Sequence, residues 1–288
     1  MSTPTRVDFS SGDLTIAAYR WQPEGPPTAI AQLTHGMGEH AQRYGHLART
    51  LNRQGYVVYA QDHRGHGQTA PAIEDLGRVG SQGWTELVAD IGRLSAVAKA
   101  AHPGLPLVLF GHSMGSFATQ QWLLDHSHEV DAVALSGTAA LDLLEPALDL
   151  DAPLELAMFN APFAPARTDY DWLSRDEGEV DKYVDDPFCG FGLDGDGAKQ
   201  MFVGARAMAQ AQRVGAIRKD LPIYIAVGDQ DPVNGRLALA QGLVDRYTAA
   251  GLTDVTYKIY PGARHEILNE TNRDQVEADL VGWIGSRI

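Results

Sequence analysis

The chain has 288 residues, 44% hydrophobic and 21% charged, which is enough for one large domain or for a core domain carrying an insertion. That balance excludes disordered and collagen-like classes, and a net charge of −14 without a clustered Lys/Arg footprint excludes nucleic acid as a partner. The single cysteine, Cys189, excludes an internal disulfide, fits a reducing compartment and reads as a small buried side chain. Residues Met1 to Asp13 lack the basic stretch and apolar run of a secretion signal, and no apolar run is long enough to span a bilayer, so a cytoplasmic location is expected.

In chain order, Arg6 to Phe9 and Leu14 to Trp21 flank Ser10-Ser11-Gly12-Asp13 and predict an antiparallel hairpin on a sheet edge. Apolar runs then recur at Ala29–Leu33, Tyr56–Ala60, Leu105–Phe110, Val130–Leu135, Leu221–Val227 and Val255–Tyr260. Several are continuous, as strands buried on both faces of a parallel sheet must be. Helical patterns lie between and after them at His40–Arg53, Trp84–Ala101, Ser116–His126, Gly235–Ala249 and Arg273–Ile284, an alternation that predicts an α/β doubly wound sheet. One stretch, Thr138 to Asp220, has no strand and is too long for an ordinary crossover. It predicts a helical insertion, residues 138–220, on a core formed by residues 1–137 and 221–288. Leu141, Leu144, Leu148, Leu154, Leu156, Met158 and Phe159 give it an apolar character, and Pro146, Pro153, Pro162 and Pro165 cut it into short pieces. Such groups pack an insertion onto a core, and a lid over an apolar pocket needs the same composition.

The chemistry is concentrated where strands end. Gly111-His112-Ser113-Met114-Gly115 follows the third apolar run and precedes a helix, the context of a nucleophile elbow. A serine hydroxyl needs a base to take its proton and an acid to orient that base, and this topology places acid and then histidine after later strands. The run Leu221–Val227 leads into Gly228-Asp229-Gln230-Asp231-Pro232, and Val255–Tyr260 leads into Pro261-Gly262-Ala263-Arg264-His265. His265 is the candidate base and Asp231 the candidate acid, with Asp229 competing on the same turn. An oxyanion formed at Ser113 would be met by the backbone N–H of Met114 and by that of Met37 in His35-Gly36-Met37-Gly38, while His35 reads as a structural hydrogen bonder.

These motifs together carry a resemblance. His-Gly-Met-Gly-Glu-His at 35–40, Asp-His-Arg-Gly-His-Gly at 62–67, Gly-His-Ser-Met-Gly at 111–115, Gly-Asp-Gln-Asp at 228–231 and Gly-Ala-Arg-His-Glu at 262–266 resemble the monoacylglycerol lipase and lysophospholipase group of α/β-hydrolases, the serine aminopeptidase S33-like group. Residues 171–176 and 186–191 resemble cap sequences of bacterial members. The resemblance implies an α/β-hydrolase fold with a helical cap and hydrolysis of a single-chain carboxylic ester through an acyl-enzyme on Ser113. It implies Asp231, by its G-x-x-D spacing, and His265 as acid and base, and Met37 and Met114 as oxyanion donors; the residues themselves give no need for a cofactor or metal. Ser116 departs from the glycine common at that position. The expected partner is a small ester or lipid, with at most transient contact between the cap and a membrane surface, and the residues carry no sign of oligomeric state. A small-ester carboxylesterase or an aminopeptidase-like amidase would use the same three residues.

Rival readings are weaker. Gly36-Met37-Gly38-Glu39-His40-Ala41 fits a dinucleotide fingerprint with Asp62 closing the next strand, but leaves Ser113, Asp231 and His265 unexplained. An inactive binding protein on the same fold would not need all three. His63 and His66 lack further ligands at useful spacing, His265-Glu266 fails H-E-x-x-H, and Asp194-Gly195-Asp196-Gly197 fails the EF-hand pattern. Asn269-Glu270-Thr271 has the letters of a glycosylation sequon but reads as a helix start.

Overall fold

The apolar runs assemble side by side in a computed structural model that describes residues 3–80, 83–151 and 154–288; Pro153 lies outside them. The strands are β1 (Thr5–Arg6), β2 (Phe9–Ser11), β3 (Leu14–Ile16), β4 (Ala18–Trp21), β5 (Ala29–Thr34), β6 (Tyr56–Gln61), β7 (Leu107–His112), β8 (Ala132–Ser136), β9 (Ile223–Gly228) and β10 (Val255–Tyr260). Eight of them form one sheet in the order β1-β4-β6-β5-β7-β8-β9-β10, parallel from β6 to β10 and antiparallel where β4 meets β6 and β1 meets β4. Within each central strand, side chains alternate between two cores. Leu107 and Leu109 face Trp84, Leu87 and Ile91 of α2 (Gly83–Ala101) and Phe117 and Trp122 of α3 (Met114–His126). Val108 and Phe110 face Leu47 and Leu51 of α1 (Gly45–Arg53) and Val276, Leu280 and Trp283 of the C-terminal helix, Arg273–Gly285. Burial on both faces is why these strands are apolar without alternation.

The predicted hairpin is divided. β2 and β3 pair as a separate two-stranded ribbon, while the base of the hairpin supplies β1 and β4 to the main sheet. The break comes where Ala17 N–H turns to Thr69 Oγ1 (2.9 Å) and Asp8 Oδ1 accepts from Ala18 N–H (3.1 Å). The helix predicted from Gly235 begins instead at Ala238. Gly235, Arg236 and Leu237 all have positive φ, and Asn234 Oδ1 accepts from Leu237 N–H at 2.7 Å, so the first expected turn is left-handed.

Between β8 and β9 the described residues form helices and loops and no strand. Short 3₁₀ pieces occupy Leu141–Leu143, Glu145–Ala147 and Leu156–Phe163, followed by α4 (Glu177–Asp185), α5 (Gly195–Met208) and α6 (Ala211–Val214). Asp176 caps α4 by accepting from Gly178 and Glu179 N–H, and Asp194 caps α5 by accepting from Gly197 N–H. The second carboxylate oxygen of Asp194 also accepts from Val79 and Gly80 N–H, tying α5 to the loop ahead of α2. After β9 comes α7 (Ala238–Ala249), and the C-terminal helix is α8.

The chain passes from β7 into α3 within one residue, and glycines make this possible. A Cβ on Gly115 would lie 2.3 Å from Thr34 O and 2.5 Å from His35 O, backbone atoms of β5 and the loop after it. Gly115→Ala is therefore expected to separate α3 from β5 at a cost of about 1–3 kcal/mol. The check is the urea midpoint, which should fall together with turnover.

Candidate active site

Ser113 sits between the last residue of β7 and the first of α3 with φ 50° and ψ −121°, a conformation that L residues rarely adopt. Its N–H donates to Ser136 O of β8 at 2.9 Å, and its carbonyl accepts from Ser116 N–H (2.8 Å) and Phe117 N–H (3.1 Å). Ser116, the departure noted above, adds its hydroxyl to the same carbonyl (2.6 Å) and to Thr138 Oγ1 (2.9 Å), so the serine here braces the turn.

The loops after β9 and β10 bring the two partners in. His265 Nε2 lies 2.9 Å from Ser113 Oγ, and His265 Nδ1 lies 2.9 Å from Asp231 Oδ2. Asp231 is fully buried, and its other oxygen accepts from Val233 N–H at 2.9 Å. Asp229 points elsewhere: its Oδ1 accepts from Gly262 N–H at 2.8 Å, holding the turn ahead of His265. Burial pulls the His265 pKa down, but the charge and hydrogen bond of Asp231 outweigh it and hold the imidazole above its ordinary value. His112 packs on His265 at 4.9 Å and is pushed down to about 3 by burial and by His265, so it stays neutral and adds no competing charge. The relay can thus take a proton from Ser113 while Asp231 stabilises the cation that forms.

Met37 and Met114 both border the cavity in front of Ser113. Met114 is the first residue of α3, so its N–H has no intrahelical acceptor and points from the positive end of the helix. The loop carrying Met37 is shaped by Glu39, a buried carboxylate that accepts from Gly36 N–H (2.5 Å) and Tyr44 Oη (2.7 Å). His35 is structural: its Nδ1 lies 2.7 Å from Gly36 O and its Nε2 accepts from His63 N–H. Asp62, the acid of the dinucleotide alternative, is buried and takes Ala41 N–H, Gln68 N–H and Tyr19 Oη, which leaves no oxygen for a ribose.

Two features of the site were not read from sequence. Arg43 bridges the loops, with Nη1 at 2.6 Å from both Glu39 and Glu266 and Nη2 at 2.8 Å from Glu266, the residue after His265. Only the Glu39–Arg43 spacing of four gave a local signal; Glu266 is 223 positions away. Trp172 and its neighbours, from the stretch between β8 and β9, cover the histidine. The Trp172 ring lies 4.8 Å from that of His265, and Glu266 N–H donates to Leu173 O at 2.8 Å. Arg264 reaches Asp171 O and Ser174 O, and Arg175 pairs with buried Glu270 at 2.8 Å. The cavity before Ser113 is otherwise apolar, walled by Leu141, Leu144, Leu148, Leu156 and Phe159, with Met201 and Phe202 of α5 and Phe117 of α3.

A mostly parallel sheet with the nucleophile elbow after a central strand, and acid and histidine following on later strands, defines an α/β-hydrolase built as a serine ester hydrolase. Comparison with known proteins agrees. The family described as serine aminopeptidase, S33, matches residues 25–272, and this chain belongs to it. It is 34% identical over 294 residues to a monoacylglycerol lipase of Mycolicibacterium smegmatis, covering 100% of this chain and 99% of that one. It is 29% identical to the monoglyceride lipase of Rattus norvegicus, over 97% of this chain and 89% of the relative. Among solved structures, a thermostable carboxyl esterase from Bacillus coagulans bound to glycerol superposes with a TM-score of 0.87 at 28% identity, covering 100% of this chain and 99% of that one. A soluble variant of monoglyceride lipase from Saccharomyces cerevisiae shares the fold, with a TM-score of 0.78 at 21% identity, over 100% and 96% of the two chains.

Because neutral His265 is the form that accepts a proton, kcat/KM should rise with pH through a midpoint above 6.5. Asp231→Asn should lower kcat by about four powers of ten and move that midpoint down, whereas Asp229→Asn should leave the midpoint in place. Burial would raise the Glu266 pKa, but Arg43 overcomes this and holds it at about 2, against 4.5 for a free side chain. Its stabilising contribution is therefore complete above pH 4.5 and lost as pH falls through about 2. Arg43→Ala, which leaves two buried carboxylates facing each other, should cost about 3–5 kcal/mol in urea unfolding at neutral pH.

Proposed function

We propose that this chain hydrolyses monoacylglycerols and related single-chain esters through an acyl-enzyme on Ser113. His265 takes the hydroxyl proton as Ser113 attacks the ester carbonyl, returns it to the leaving alcohol, and then activates the water that releases the fatty acid. Asp231 orients the imidazole and stabilises its cation, and the N–H groups of Met37 and Met114 receive the oxyanion. Residues 138–220 act as a cap over a core of residues 1–137 and 221–288.

The observation that carries this reading is the seating of Ser113, its Oγ 2.9 Å from His265, on the border of two cavities, one walled by leucines and phenylalanines and the other lined in part by Glu39, His112 and Glu266. An acyl chain fits the apolar wall, and an alcohol head group fits the polar one. The naming of the mycobacterial and rat relatives as monoacylglycerol and monoglyceride lipases supports the same substrate class. Leu143, Met158 and Val203 of the proposed cap are exposed, and these apolar groups suit brief contact with a lipid surface. No helix among the described residues is long and apolar enough to cross a membrane. The charge of −14 gives no attraction to anionic lipid, so contact through the cap is transient.

The test is a panel of monoacylglycerols, lysophospholipids, short p-nitrophenyl esters and aminoacyl anilides, assayed with wild type and Ser113→Ala. Monoacylglycerols should give the highest kcat/KM, and Ser113→Ala should lose several powers of ten in kcat on every substrate. Preference for aminoacyl anilides would overturn the ester reading, and preference for short p-nitrophenyl esters would replace it with a general carboxylesterase.

A further inference from the structure

His40 stands just beyond the loop that carries Met37, and Asp186 and Cys189 lie three residues apart in the turn after α4. Among the described residues, one ligand atom from each, a ring nitrogen, a carboxylate oxygen and a thiol sulfur, all lie within 4.8 Å of one another. His40 Nε2 is 2.9 Å from Asp186 Oδ2, and the two side chains are 14% and 28% exposed, so the group is sheltered yet open to an ion from solvent. None of the three takes part in the relay at Ser113. Their separation in sequence, 40 against 186 and 189, is why no local ligand spacing pointed to them.

We propose that His40, Asp186 and Cys189 form a binding site for a divalent transition-metal ion of the zinc class, with a fourth position open to water. One imidazole, one carboxylate and one thiolate suit a borderline-soft ion in tetrahedral geometry, where bonds of about 2.0–2.3 Å set ligand atoms roughly 3.3–3.6 Å apart, so binding would spread His40 and Asp186 slightly from their 2.9 Å contact. On binding, the Cys189 S–H bond breaks, its proton goes to solvent, and the sulfur lone pair forms the metal bond. The ion would fasten the 186–190 turn to His40. That turn and α4 before it already grip the Met37 loop, because Gly38 O accepts from Gly190 N–H at 3.0 Å and from Tyr183 Oη at 2.7 Å.

The experiment titrates the full-length, tag-free protein with Zn²⁺ by calorimetry and with Co²⁺ by absorption spectroscopy. One ion per chain should bind, with the thiolate-to-cobalt charge-transfer absorption and visible bands of a four-coordinate site. Cys189→Ser should remove the charge-transfer absorption, and Cys189→Ser, His40→Ala and Asp186→Asn should each weaken Zn²⁺ binding by about tenfold or more. Unchanged metal-free ester hydrolysis by Cys189→Ser certifies that this variant is folded. Absence of binding at about 100 μM Zn²⁺, or affinities unaffected by Cys189→Ser and His40→Ala, would overturn the site.

Discussion

The backbone of Ser113 is held in a conformation that its side chain disfavours, and most of the site follows from how that conformation is paid for. A φ of 50° at a non-glycine residue costs on the order of 1–3 kcal/mol. It persists because β7 and α3 are both locked in place, by Ser113 N–H on Ser136 O, by Ser116 and Phe117 on the Ser113 carbonyl, and by the approach of α3 to β5 at Gly115. The turn projects the hydroxyl past the ends of the parallel strands, where the loops after β5, β9 and β10 also end. Binding sites of open α/β sheets form at these strand ends for this reason. Met37, Asp231 and His265 arrive on those loops, so a single backbone constraint sets where every other group must stand.

Buried charge links the loops to one another. Arg43 neutralises Glu39, which shapes the loop carrying Met37, and Glu266, which adjoins His265, so one proposed oxyanion donor and the proposed base are fixed relative to each other through one guanidinium. A buried cluster of this kind earns little net stability, but breaking it is costly, which gives it value as a positioning device. The stretch between β8 and β9 is bolted to the same loops. Trp172 lies over His265, Arg264 and Arg175 hold the neighbouring backbone, and Tyr183 and Gly190 bind Gly38. Movement of that stretch would therefore be felt at His265 and at the loop carrying Met37 together.

Much of this was legible in sequence because it obeys local rules. Strands buried on both faces announce themselves as runs such as Leu107–Phe110, and Ser113, Asp231 and His265 follow strands in the order the topology demands. What was hidden depends on pairs distant in the chain or on backbone details with no residue code. Arg43 and Glu266 meet only after folding, as do Trp172 and His265. Asp229 and Asp231 compete on one turn, where the G-x-x-D spacing favours Asp231; the fold sets Asp231 2.9 Å from His265 and turns Asp229 to Gly262 N–H. The start of α7 was missed because Arg236 and Leu237, neither of them glycine, take positive φ. The hairpin near the start of the chain was right in its pairing and silent about its division, which rests on a hydrogen bond from Ala17 to Thr69.

The central claim is that Ser113 Oγ becomes covalently acylated during turnover. Mixing the enzyme with a monoacylglycerol, quenching in acid within milliseconds and measuring the intact mass and its peptides tests this directly. The account predicts a transient increase equal to one acyl group, with glycerol released, located on the peptide containing Ser113 and absent from Ser113→Ala. Steady hydrolysis without any such adduct, or an adduct on another residue, would contradict it.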